Sequence, residues 1–350
     1  MDFMVDIQIP TPKETLNYRE PILLTGSCFT EHIGNSLQEL KFDVLQNPHG
    51  ILFDPSSVAS SLVSYVQNKQ YTANDLFYLN EVWQSWQHHG RFSHIDQETS
   101  LQLINASQQR AHEFLKTAKW LIITLGSAFS YRLTDQVGSL NHEVPNTPST
   151  GVPMNIGRGE AVANCHRAPG QWFRKHLMTI EEINTVLDNS LYQVLKFNPS
   201  LRIIFTVSPV RHIRDGVIDN NRSKARLIEV VHHLVNKFDR LYYFPAYELV
   251  IDVLRDYRFY DIDMVHPNYP ATSFVLDKFM KHFTDAEAQQ VAAEVQKIVI
   301  ARKHKAFHPA TEAHKKFLKS HLDKARALQA KYPFLKLQEE IAYFGNDGTL

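Results

Sequence analysis

Leu23-Leu24-Thr25-Gly26-Ser27-Cys28-Phe29-Thr30-Glu31 reads as a strand, a sharp turn and the start of a helix. The apolar run over 21–25 meets Gly26, which allows the tight turn, and residues 27–30 then stand at a helix amino terminus. Unpaired backbone N–H groups and the helix dipole favour negative charge there. They draw a thiol toward thiolate and stabilise an oxyanion. Ser27 and Cys28 are both candidate nucleophiles on this ground. The plainer reading is that Ser27 caps the helix and Cys28 is a small buried hydrophobe, as free cysteines commonly are.

The same grammar repeats along the chain. Apolar runs at 42–45, 120–125, 201–207 and 241–244 end on Asn47-Pro48, Gly126, Ser208-Pro209 and Pro245. Continuous apolar runs with a breaker at the carboxyl end mark parallel strands buried on both faces. Helical spacing lies between them: Ile33, Leu37 and Leu40 share one face, as do Leu227, Val230, Val231, Leu234 and Phe238. The alternation predicts an α/β domain over 1–283, a mostly parallel five-stranded sheet with helices on both faces. Ligands of such sheets bind beyond the carboxyl ends of the strands. Two long connections, about 70–98 and 130–178, break the pattern, and the second is rich in Pro, Gly, Asn and Thr over 144–153. Loops of that length are expected to be lids or binding loops. From about Thr284 the chain turns helical and charged through 350, an appendage expected to pack on the domain or to form a homo-oligomer.

Composition narrows the class. Lys plus Arg and Asp plus Glu are 37 each, the net charge is zero, and 43% of residues are hydrophobic. That excludes a disordered chain and removes a global basic field for nucleic acid or membrane. Two cysteines make no disulfide framework. No apolar run approaches the roughly 20 residues of a membrane span. Residues 1–6 lack a basic leader, so a cytoplasmic protein is expected. The 18 histidines are the odd item.

Near the far end stands Asp261-Ile262-Asp263-Met264-Val265-His266-Pro267-Asn268. Asp263 and His266, three apart, can project to one side. A carboxylate on one imidazole nitrogen fixes the tautomer and leaves the other as a base. A capping Asp beside a surface His is the commoner explanation of such a pair. Arg211 and His212 follow the fourth strand, where an Arg can hold a carboxylate or phosphate, or else pair with Asp215 or Asp256. Residues 255–258 read as an ion-pair and aromatic cluster supporting the Asp263 loop. His88 and His89 lie near Trp83 and Trp86, either a lid with aromatic contact area or a packed loop. Asn164-Cys165-His166 raises a metal reading with Cys28, His88, His89 and His266. No Cys-x-x-Cys accompanies it, and His304 and His308 lack the Glu of a zinc helix. No metal or cofactor is therefore expected. Residues 157–159 are too slight for a phosphate loop, and 303–324 read as a solvated helical face.

Gly26-Ser27-Cys28-Phe29 resembles the opening of the GSCFA family, with Thr30 in place of the final Ala. The likeness runs through about 20–285 and includes 47–50, 85–90, 124–128, 163–166, 206–212 and 254–260. That family in turn resembles the SGNH (GDSL-like) hydrolases, which implies a flavodoxin-like sheet and esterase chemistry. Laying their Gly-Asp-Ser-x-Thr-Glu block on this chain matches Gly26, Thr30 and Glu31. It puts Cys28 on the nucleophile, while Asp263 and His266 fall on the Asp-x-x-His block. Gly50 matches the second-block glycine, whose N–H serves the oxyanion. Gly126 matches the third block, but Ala128 and Phe129 replace its Asn-Asp, so the side-chain donor is missing from its expected place; Ser127, Asn164 or His212 could supply one instead, and the sequence does not choose between them.

The resemblance and the residues together imply a hydrolase or acyltransferase acting on esters. Cys28 or Ser27 is the nucleophile, His266 the base and Asp263 its orienting carboxylate; Gly50, Gly126, Ser127, Asn164, His212, Arg211 and His89 line the site. The expected partner is a small molecule or an acylated saccharide, without nucleic acid or membrane. The competing readings are a non-catalytic binding module on a degenerate hydrolase fold and a metal-dependent hydrolase.

Overall fold

The computed structural model describes residues 5–137 and 159–346. The first half of the chain runs β1 (Ile22–Gly26), α1 (Cys28–Glu39), β2 (Val44–Gln46), α2 (Pro55–Gln67), a β3 (Phe77–Leu79) and β4 (Val82–Gln84) hairpin, then α3 (Gln97–Thr117) and β5 (Trp120–Leu125). Next come β6 (Phe129–Leu133), β7 (Ala161–Val162), β8 (Phe173–Leu177), α4 (Ile180–Phe197), β9 (Arg202–Val207), α5 (Gly216–Lys237) and β10 (Leu241–Tyr243). A short α6 (Ala246–Glu248) runs into a π-helical turn, Leu249–Leu254. The chain closes with α7 (Tyr269–Phe283), α8 (Ala286–Lys303), α9 (Glu312–Lys331) and α10 (Gln338–Gly345).

The five apolar runs are the five parallel strands of the central sheet, in the order β10-β9-β5-β1-β2. Successive side chains of a strand point to opposite faces, and both faces are buried. Ile22, Leu24, Trp120, Ile122 and Ile204 pack with Phe29, Ile33 and Leu37 of α1 and with Val275, Phe279 and Phe283 of α7. On the other face Leu23, Leu121, Ile123, Ile203 and Phe205 pack with Leu62 of α2, Leu115 of α3, Leu187 of α4 and Leu234 of α5. Two-sided burial is why these strands carry no polar alternation.

The tail packs on the domain. Val291, Val295 and Ile298 of α8, with Leu318 and Leu328 of α9, share the core of Ile33 and Leu37. The buried Glu340 of α10 receives Lys41 at 2.7 Å and Arg302 at 2.9 Å, which locks the last helix in place.

The two long connections differ from the expected lids. In the first, Trp86 is fully buried and stacks on Phe77, with centroids 3.8 Å apart, so its area is spent on packing. Trp83 packs partly buried against the Tyr71, Leu76, Phe92 and Ile104 cluster. The second connection supplies β7 and β8, which flank β6 in a small antiparallel sheet. Leu133, Val162 and Trp172 of this sheet join Phe77 and Trp86 in one apolar cluster. Its Pro-rich stretch at 144–153 and most of 157–159 lie outside the described residues. Among the described residues no helix is long and apolar enough to cross a membrane.

Candidate functional site

At Gly26 the chain turns with φ +140°, and a Cβ there would lie 2.1 Å from the Thr124 carbonyl oxygen of β5. Only glycine fits, and it delivers Cys28 to the first turn of α1. Ser27 is the N-cap residue, yet its hydroxyl makes no capping bond. It is 1% exposed, its Oγ has no hydrogen-bond partner, and a Cβ on Gly126 would lie 3.2 Å from the Ser27 Cβ. Cys28 is half-buried. The backbone N–H groups of Phe29 and Cys28 and the Lys224 ammonium favour its thiolate, but burial outweighs them and pushes the thiol up. The expected lowering at a helix terminus is corrected here: desolvation is the larger effect.

The Lys224 side chain enters this site from α5. It is 1% exposed, and Nζ donates to the carbonyl oxygens of Gly126 and Ser208, each at 2.6 Å. Those carbonyls end β5 and β9, so one ammonium closes the gap between two strand ends. Burial lowers its pKa to about 7, while the Cys28 charge pulls it back up. Sequence reasoning passed over this residue. The signal was a lysine at helical spacing from Leu227, Val231 and Leu234, a charge on an apolar stripe.

Asp263 and His266 lie together on the loop before α7. The Asp263 Oδ1 accepts the N–H groups of Val265 at 2.9 Å and His266 at 3.0 Å, and Oδ2 meets the His266 Nδ1 at 2.6 Å. The His266 N–H, its ring and the Val265 N–H hold the Asp263 carboxyl down at about 2. Asn268 braces the loop, donating to the Arg258 carbonyl at 2.7 Å and capping α7 through the Ala271 N–H at 3.3 Å. The Arg211 N–H donates to the Val265 carbonyl at 3.3 Å, which ties the loop to the end of β9. Cys28 and His266 thus occupy one edge of the sheet. Among the described residues no hydrogen bond joins His266 to Cys28 or to Ser27.

Of the other expected residues, Gly126 and His212 converge on the Lys224 site. The Gly126 N–H donates to the Phe53 carbonyl, its own carbonyl takes Lys224 at 2.6 Å, and that carbonyl acts on the nearby His212 ring. His212 stands edge-on to Phe53, with centroids 5.9 Å apart. Burial and Lys224 lower its pKa to about 4, leaving a neutral imidazole. Arg211 lays its guanidinium over Tyr260 at 4.3 Å and Tyr257 at 5.4 Å, while Asp215 and Asp256 pair with Lys175 and Arg258. The ion pairs first considered for Arg211 are therefore not formed.

Three assignments move away from the oxyanion. The Gly50 N–H is spent on the Asn47 carbonyl at 2.7 Å, inside its own turn. Gly50 has φ +82°, and a Cβ there would strike the His89 Cβ at 2.1 Å, so glycine serves the close packing of two loops. The Ser127 Oγ meets the Ser223 Oγ at 3.3 Å and takes the Phe129 N–H at 3.1 Å. The Asn164 Oδ1 takes the His166 N–H at 2.8 Å, stapling its own turn.

The histidine-rich region is structural in large part. His49 lies between Tyr65 at 2.9 Å and Tyr71 at 3.1 Å and stacks on His88, with centroids 4.2 Å apart. His166 bonds the Ser85 carbonyl at 2.7 Å, and burial pushes the Cys165 thiol up to about 12. His89 is half-buried; Arg91, next to it, salt-bridges Glu31 of α1 at 3.5 Å and donates to the Asn47 carbonyl. The Asn47 Oδ1 in turn accepts the Gly26 N–H at 3.0 Å, so Asn47 and Arg91 brace the first turn of the site. Among the described residues no group of three or more His, Cys, Asp or Glu side chains is placed to hold a metal ion.

Comparison with known proteins gives two family matches. Residues 21–279 match the GSCFA family, and residues 295–347 match the description "GSCFA domain protein, C-terminal domain". No curated protein matches the chain significantly. Among solved structures, the chain is similar to a Streptococcus pneumonia protein provisionally described as a platelet activating factor. That match has 15% identity, a TM-score of 0.35, and covers 75% of this chain and 83% of the other. With the first match spanning most of its length, the chain belongs to the GSCFA family.

Proposed function

We propose that this protein is an acyl-ester or thioester hydrolase, or an acyltransferase, working through Cys28, His266 and Asp263. The observation that carries the reading is the 2.6 Å bond between Asp263 and the His266 Nδ1, on the same sheet edge as a cysteine opening a helix. Counted among themselves along the chain, the central strands have the order 2-1-3-4-5. That order supports a flavodoxin-like, SGNH-type assignment. Exposure favours Cys28 over Ser27 as nucleophile, because Ser27 is buried beneath Gly126.

In this mechanism Asp263 keeps the His266 Nδ1 protonated and leaves Nε2 to accept the Cys28 proton. The sulfur attacks the acyl carbon, and the oxyanion forms beside the N–H groups at the start of α1. The Lys224 ammonium, two of whose three N–H groups are given to carbonyls, is the further donor on this edge. The alcohol leaves with the proton from His266, giving a thioester on Cys28. Water, deprotonated by His266, then releases the acid and restores the thiol. The mechanism requires the Cys28–His266 hydrogen bond to form in the substrate complex, where catalytic hydrogen bonds often tighten.

The test is turnover of 4-nitrophenyl butyrate, with mass spectrometry for a butyryl adduct on Cys28. Cys28→Ala and His266→Ala should each abolish turnover, while Asp263→Asn lowers it by orders of magnitude. Hydrolysis unchanged in Cys28→Ala, Ser27→Ala and His266→Ala alike overturns the proposal.

A further inference from the structure

Beside the histidine loop lies a cavity of about 320 Å³. Its apolar lining includes Ile213 and Val217 near the start of α5, Ile251 of the π turn, and Met264 between Asp263 and His266. Tyr247 connects it to the nucleophile's side, since the Lys224 Nζ stands 6.0 Å over that ring. The cavity thus borders the loop of the proposed base through Met264, and Tyr247 separates it from the buried Lys224 ammonium.

Arg211 is the one charged side chain among its described lining residues. Tyr260 and Tyr257 support the guanidinium by its face. Within the described residues, its side-chain N–H groups make no hydrogen bond and no ion pair. The neighbouring acids are committed elsewhere: Asp215 to Lys175, Asp256 to Arg258 and Asp263 to His266. Asp252, which also acts on Tyr247, makes no bridge to Arg211 within 4.0 Å. A planar fork of donors, oriented by stacking and left without an acceptor, is a built site for an oxyanion. The apolar wall around it suits the hydrocarbon part of the same ligand.

Resting on the reading of the site as an acyl hydrolase, we propose that this cavity holds the acyl chain of the substrate and that the chain ends in a carboxylate bound by Arg211. The substrate class is then a monoester or monothioester of a dicarboxylic acid. The chain lies along Ile213, Val217 and Met264, with its scissile carbonyl toward Cys28 and His266.

Two esters of matched length test this: 4-nitrophenyl hydrogen adipate and 4-nitrophenyl hexanoate, which differ by a terminal carboxylate against a methyl. A charge-assisted pair gives the adipate ester about a 10- to 100-fold advantage in kcat/KM. That ratio should fall to about one in Arg211→Gln and be partly kept in Arg211→Lys. Equal turnover of the two esters by the wild-type protein overturns the proposal and leaves the hydrolase reading standing. Binding is measured separately, by shifts of the Met264 methyl resonance on adding hexanoate or 1-hexanol. Hexanoate binding that exceeds 1-hexanol binding and is lost in Arg211→Gln supports the pocket even without turnover of either ester, a result that counts against the hydrolase reading alone. Inorganic phosphate moving the same resonance as strongly as hexanoate shows a phosphate site and overturns the acyl-chain assignment.

Discussion

Lys224→Met keeps the unbranched stem of the side chain and deletes the ammonium. In the folded chain burial lowers that amine from 10.5 to about 7, and in the unfolded chain it titrates as an ordinary lysine. Between those values the unfolded chain binds more protons, so the wild-type protein gains stability as pH rises. Below about pH 7 both states carry the charge and its burial cost is fully present, about 5 kcal/mol at ~1.4 kcal/mol per pH unit. The variant lacks this group, and the titrations of groups that do not act on Lys224 cancel in the difference between the two proteins; Cys28→Ala in both backgrounds removes the coupled thiol. Urea unfolding from pH 6 to 10 should therefore show the wild type gaining on Lys224→Met by about 1 kcal/mol per pH unit above pH 7, with no such gain below it. The variant also leaves the Gly126 and Ser208 carbonyls without their donor, each bonded at 2.6 Å in the wild type. That loss, about 1–3 kcal/mol per carbonyl, is a constant offset and does not bend the curve. A difference that stays flat from pH 7 to 10 would refute the reasoning, because the amine would then be titrating as in water.

At pH 8 iodoacetamide should modify Cys28 well before Cys165, whose thiol is pushed up to about 12; peptide mass spectrometry that finds Cys165 labelled first contradicts this. His49 is lowered to about 3 by burial, so stability should fall as pH drops from 6.5 toward 3, and His49→Gln should flatten that fall in acid unfolding curves. Trp86→Ala removes a fully buried side chain stacked on Phe77 and should cost about 3–5 kcal/mol in urea unfolding; a loss below 1 kcal/mol means the first connection is not packed as described. Gly26→Ala forces a Cβ to 2.1 Å from the Thr124 oxygen and should leave little folded protein, whereas Gly126→Ala, with contacts of 3.2 Å, should fold with a modest loss.

The sheet was legible because each central strand is buried on both faces and ends on a breaker, a pattern that needs no long-range information. Asp263 and His266 were legible for a similar reason, since three residues of spacing and a following Asn-turn set their geometry locally. The packed connections were not. Trp86 meets Phe77 from just past the β3–β4 hairpin, but its cover comes from Leu133, Val162 and Trp172, each more than 45 residues away in the chain. A tryptophan's hydrocarbon surface reads alike as core or as contact area until those partners are known. The same holds for Gly50, where a turn glycine matched an oxyanion position while its N–H was already bound to Asn47. Lys224 was hidden by the opposite error: a charged residue in a helix is normally solvated, and only the carbonyls of two distant strand ends make its burial tolerable.

The two cysteines show what separates a candidate nucleophile from a thiol that only packs. Both are half-buried, and burial pushes both thiols up. Around Cys165 Asp54 is the charged neighbour that acts on the sulfur among the described residues, and it raises the thiol further. Around Cys28 two backbone N–H groups and Lys224 act against burial, while Glu31 acts with it. Coupling between Cys28 and Lys224 runs both ways, since the thiolate raises the lysine and the ammonium lowers the thiol. Each charge alone is costly in that environment, and together they offset one another. Raising the thiol pKa does not by itself disqualify a nucleophile whose proton is taken only as it attacks. What such a site requires is stabilisation aimed at the charge once formed, and among the described residues that stands at Cys28 and not at Cys165.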